Sequence, residues 1–111
     1  MKMRRTRSSD EYVADMVAAI VVDTPTQSTQ SITRHHAFEE LAVYGGAALW
    51  TLFPMLEKEA SNDTTATVIV LLISRILEGG VFKISSVEEV DGMAINSYLN
   101  YATENKYIPK D

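Results

Sequence analysis

Apolar residues recur at helical spacing along most of this chain. Val13, Met16, Val17, Ile20 and Val21 fall three and four apart, which puts them on one stripe of a helix. Ser8 and Glu11 precede the stripe as a Ser-x-x-Glu capping box. Thr24-Pro25 closes it, because the residue before a proline is pushed out of the helical region. This pattern predicts a first helix over 8–22. Residues 24–33 (TPTQSTQSIT) then hold a single large apolar side chain, Ile32. Their hydroxyls and amides compete for the backbone, so the stretch is expected to be a polar loop.

Helical spacing resumes at Arg34. Phe38, Leu41, Gly45, Ala48, Leu49, Leu52 and Leu56 share one face, which predicts helix over 34–53 with an interruption. Each glycine of Gly45-Gly46 costs a helix about 1 kcal/mol relative to alanine. The pair either marks a break or lets another backbone approach. Pro54 lacks the amide donor owed to the Trp50 carbonyl, so a kink or a fresh start is expected there. The segment reads as two short helices or one bent one.

The run Val68 to Ile73 is apolar on every side and rich in β-branching, so periodicity alone does not separate helix from buried strand. Length decides. Thr64 to Glu78 is fifteen residues, too long for a typical strand, and Gly79-Gly80 is a natural stop. A central helix over 63–78 follows, and Val81 to Ile84 is expected to be extended. Ser86 and Glu89 form a second capping box, before a helix over 86–104 that gathers Val87, Val90, Ala94, Tyr98 and Tyr101 on one face. The sum is an all-α chain, a compact bundle of four to five helices around one core, with residues 8–111 as a single domain.

Length and composition agree with that picture. A chain of 111 residues is the size of one domain and buries a working core without cross-links. The absence of cysteine excludes disulfides, cysteine-based zinc sites and thiol nucleophiles. Asp10, Glu11 and Asp15 follow the basic start directly, where a secretory signal needs an apolar stretch, so a cytoplasmic protein is expected. The uncharged runs 41–56 and 64–74 fall short of the ~20 residues of a spanning helix. They read as core helices, with no membrane partner.

Charge changes the picture more. The net charge of −5 hides Lys2, Arg4, Arg5 and Arg7, which make residues 1–7 (MKMRRTR) a basic, flexible arm. The other residues carry six basic and fifteen acidic side chains. An acidic body repels a phosphate backbone and suits a basic partner surface.

Candidate chemistry is sparse. The two histidines, His35 and His36, each have a glutamate four residues on, Glu39 and Glu40. A His-x-x-x-Glu pair supplies two metal ligands where a transition metal usually takes three or four, so a solvated first turn is expected and no metal or cofactor. There is no Gly-x-Ser-x-Gly elbow, and neither glycine pair has the spacing of a phosphate loop, so no enzymatic role is expected. Tyr44 and Trp50, around Gly45 and Gly46, are the candidate partner-binding residues, together with Tyr107 on a polar tail. The sequence thus reads as a small helical protein–protein interaction or regulatory factor that occupies a partner protein. Gly45-Gly46-Ala47-Ala48 offers a smooth patch for a homodimer or higher oligomer. The alternative is a nucleic-acid-associated oligomer that contacts phosphate through Lys2, Arg4, Arg5 and Arg7.

Overall fold

The computed structural model describes residues 9–24, 28–77 and 83–108. They form six α-helices and one 3₁₀ turn: α1 (Ser9–Asp23), α2 (Thr29–Thr33), α3 (His36–Tyr44), α4 (Gly46–Lys58), α5 (Asp63–Leu77), the turn Val87–Glu89, and α6 (Gly92–Glu104). No strand occurs among the described residues. The all-α expectation holds. The basic arm, Ser8 of the first capping box and Gly79-Gly80 lie outside the described residues.

Helix α5 is the axis of the bundle. It packs against α1, α3, α4 and α6, so it has no wet side to keep polar. Every residue from Ala66 to Ser74 is buried, which is why the run Val68 to Ile73 can be apolar on every side. Around it α1 contributes Val13, Val17 and Ile20, while α4 contributes Ala48, Leu49, Leu52, Phe53 and Leu56. Phe38 and Leu41 close the core from α3, and Tyr98 and Ala102 close it from α6. Fully burying one leucine or phenylalanine contributes about 1.5–3 kcal/mol, so these layers dominate stability.

Four expectations need correction. The polar stretch 24–33 is not all loop, because Thr29–Thr33 is a helical turn. Its hydroxyls build the turn: Ser28 Oγ accepts the Ser31 N–H at 3.0 Å, and Thr33 Oγ1 donates to the Thr29 carbonyl at 2.9 Å. Ile32 then enters the core with no exposure. Second, the expected break does fall at Gly45, with φ 76°, but the fresh start at Pro54 does not occur, since the proline lies inside α4. The acceptor that the proline leaves without its helical donor is the carbonyl of Trp50, an exposed residue. Third, the Ser86–Glu89 box caps only the 3₁₀ turn, its carboxylate accepting the N–H of Ser85 at 2.7 Å and of Ser86 at 3.2 Å. Helix α6 has its own cap, Asp91, whose carboxylate accepts the Ala94 N–H at 2.8 Å. Fourth, in the stretch expected to be extended, Lys83 and Ile84 are irregular, and 81–82 lie outside the described residues.

The irregular stretch is pinned from beneath. Buried Ser74 accepts the Ile84 N–H at 2.8 Å and shares a hydrogen bond with the Tyr98 hydroxyl, so one side chain of α5 holds both the loop and α6. Burial pushes the Tyr98 phenol above its usual pKa; the Ser74 hydrogen bond partly offsets this and the nearby Glu89 charge adds to it. A raised phenol is stabilising below the unfolded value of about 10, and that contribution is lost as pH climbs from there through the folded value. Alkaline denaturation followed at 295 nm should show one tyrosine ionising only as the chain unfolds. Tyr98→Phe should remove that component.

Beyond α6 the chain folds back instead of trailing away. Lys106 takes a left-handed φ of 68°, and the N–H groups of Tyr107 and Ile108 both reach the Ala102 carbonyl, at 2.8 and 3.4 Å. Ile108 is buried, and Tyr107 lies 4.9 Å from the ring of Phe53. The tail expected to be polar is therefore partly core.

Candidate functional site

Gly45 is the corner from which the candidate surface is built. It ends α3 and begins α4, its N–H donating to Leu41 and its carbonyl accepting from Ala48. Gly46 opens α4 with nothing within 4 Å of where a Cβ would sit and Gly45 meets only the Val43 carbonyl, at 3.6 Å, so among the described residues neither glycine hosts a tight backbone contact. Of the three aromatics singled out from the sequence, the two that flank this corner have different companions.

On α3, Tyr44 meets Tyr12 of α1, ring centroids 5.5 Å apart. The Tyr12 hydroxyl donates to Glu40 Oε1 at 3.1 Å, and that hydrogen bond is the main reason its phenol stays protonated above the usual range. Val43 stands beside them at 82% exposure, over a shallow hollow of about 320 Å³.

On α4, Trp50 is 58% exposed and its ring lies 4.5 Å from that of Tyr107. Tyr107 in turn rests on Phe53, so the exposed indole stands on an aromatic base rooted in the core. Trp50 also forms one wall of a hollow between α1 and α4, about 240 Å³, with Ala14, Pro54 and Met55 beside it and Asp10 and Lys58 at its edges. Asp10 accepts a hydrogen bond from Thr51, which ties the two helices at this point. Ala14 and Met55 also line a second hollow that reaches Ala18, Val21 and Val22. Small side chains on α1 thus leave an apolar furrow along α4.

Trp50 and Tyr107 are therefore brought together, Gly45 and Gly46 form the adjoining corner, and Tyr44 belongs to a separate contact with α1. Tyr12 and Val43 were not singled out from the sequence. Tyr12 sits one residue from the α1 stripe, and no local signal separates Val43 from a core valine.

Of the two histidines expected on a solvated first turn, only His36 is exposed. His35 is the N-cap of α3, its Nδ1 accepting the Ala37 N–H at 3.0 Å. The proton then resides on Nε2, which donates to Asp23 Oδ2 at 2.7 Å and fastens α3 to the end of α1. Both ring nitrogens are engaged, and the side chain is only 8% exposed. His36 stacks on it, centroids 4.6 Å apart, and is exposed. Glu39 pairs with Arg75 and Glu40 accepts the Tyr12 hydroxyl hydrogen bond, so among the described residues neither His-x-x-x-Glu pair is joined. No group of three metal-ligating side chains occurs among the described residues. His35→Ala should cost about 1–2 kcal/mol, the worth of an N-cap, whereas His36→Ala should change stability by no more than about 0.5 kcal/mol. Equal losses in urea titrations would show that the cap carries no special weight.

Among the described residues no helix is long and apolar enough to cross a membrane. Comparison of the chain with family models, curated proteins and solved structures finds no match.

Proposed function

We propose that this chain is a small helical interaction factor that acts by occupying a partner protein, with Trp50 as its anchor. The observation that carries this reading is the exposed indole braced on Tyr107 above the α1–α4 furrow. Tryptophan and tyrosine on rigid supports supply most of the binding energy of protein interfaces, because they bury much area at little conformational cost. Asp10, Glu11 and Asp15 on α1 and Glu57 and Glu59 around the end of α4 give the surroundings an acidic character. A basic partner surface suits them. A second copy of the chain is the simplest oligomeric form of the same idea.

The test compares affinity capture from the native host with wild-type and Trp50→Ala baits. The variant should lose the captured partner at least tenfold while its melting temperature holds, since the indole is largely outside the core. A Trp50→Ala bait that keeps the partner overturns the anchor. The alternative, a nucleic-acid-associated oligomer, rests on Lys2, Arg4, Arg5 and Arg7. Nucleic-acid binding with a steep salt slope, lost when residues 1–7 are deleted, would replace the present reading.

A further inference from the structure

A further hollow lies on a different part of the molecule, between α3, α5 and the irregular stretch before the 3₁₀ turn. Its volume is about 450 Å³, within the range of small-molecule sites. The floor is apolar, made by Phe38, Leu71 and Ile84. Two cations, Arg75 and Lys83, also line it, as does Ser85. The described part of the chain holds five basic residues in all, and two of them line this one hollow in a molecule of net charge −5.

The cations are only partly neutralised. Arg75 touches Glu39 through a single nitrogen at 3.3 Å, which leaves most of its five donors for another acceptor. Lys83 makes no ion pair among the described residues and is exposed. The hollow is held in shape by the Ser74 hydrogen bond to the Ile84 N–H, so floor and wall keep their spacing without a ligand.

We propose that this hollow binds a small organic anion, a carboxylate or phosphate head on an apolar body. The head sits between Arg75 and Lys83, and the body covers Phe38, Leu71 and Ile84. Glu39 competes with the head for Arg75 and so sets a weak resting affinity. The site is separate from the Trp50 surface, and its occupancy neither requires nor excludes the partner.

The experiment is a heteronuclear NMR titration of the full chain with octanoate, octyl phosphate, inorganic phosphate and 1-octanol. The two amphipathic anions should shift the amides of Ser74, Arg75, Ile84 and Ser85 first and saturate. Octanol and inorganic phosphate should bind at least tenfold more weakly, each lacking half of the complementary chemistry. Arg75→Gln and Lys83→Gln should each weaken the better anion about three- to tenfold, exposed charge pairs being worth less than buried ones. Glu39→Gln should tighten it by a similar factor. Unchanged spectra away from the hollow certify that these surface variants fold. Octanol binding as tightly as the anions, shifts mapping elsewhere, or charge variants without effect would each overturn the proposal.

Discussion

Leu72→Ala should cost about 2–5 kcal/mol, the range for truncating a buried leucine. Leu72 has no exposed surface and lies on the helix that touches four others. The lost methyl groups remove transfer energy, and the space they leave is walled by elements braced against one another. Collapse into the gap is therefore limited, which favours the upper half of that range. Domains of this size are stable by about 5–15 kcal/mol, so the loss is a large share of the total. Urea denaturation should show the midpoint falling at unchanged slope. A loss below about 1 kcal/mol, comparable with His36→Ala, would mean that α5 is not the axis of the bundle.

At the α3–α4 corner, adjacent glycines should respond to alanine with opposite signs. Gly45 has φ 76° and ψ −145°, a conformation close to one that only glycine adopts without strain. A Cβ there would meet nothing nearer than the Val43 carbonyl, at 3.6 Å, so crowding is not the issue. The cost of Gly45→Ala is then a backbone cost, about 1–3 kcal/mol. Gly46 is already helical and its Cβ would enter open space. Gly46→Ala should gain about 0.4–1 kcal/mol by narrowing the unfolded ensemble. Equal losses at both positions would show that the corner is set by packing and not by backbone geometry.

What the sequence made legible follows from which forces act locally. Helix α1 could be read because stripe and stop signals coincide within it, and α5 because its apolar run is too long for a typical strand. The Gly45 break could be read as a possibility, since two glycines in a helical pattern leave few alternatives. Its competitor, Pro54, was weighted by the missing hydrogen bond, whose cost falls when the carbonyl left over faces water. Helix α2 was hidden because Ser28, Thr29 and Thr33 support a turn as readily as they disrupt one, and the choice is made by Ile32 finding the core. The Ser28–Ser31 spacing was the available clue. His35 illustrates the limit: its partner Asp23 is twelve residues away, and no pattern announces a contact made by the fold. For the candidate surface, Trp50 and Tyr107 were each suspected, yet their meeting depends on the left-handed turn at Lys106. The Arg75–Lys83 hollow carried no sequence signal, because it is assembled from α3, α5 and a loop.

The continuous burial of α5 has a colloidal consequence. Outside its helix, Val68 to Ile73 is an uncharged, proline-free hexapeptide rich in β-branched residues, the composition that stacks into steric zippers. Arg75 on one side and Asp63 on the other are the nearest charges that interrupt it. The surrounding helices therefore do more than stabilise the fold: they keep this segment away from copies of itself. A chain that opens, even briefly, presents a strand-forming surface with nothing polar to mask it, and its loss to aggregation follows the population of that open form. Solubility in this protein is a property of the closed bundle, and a weakened core should announce itself as precipitate before it registers as soluble unfolded chain.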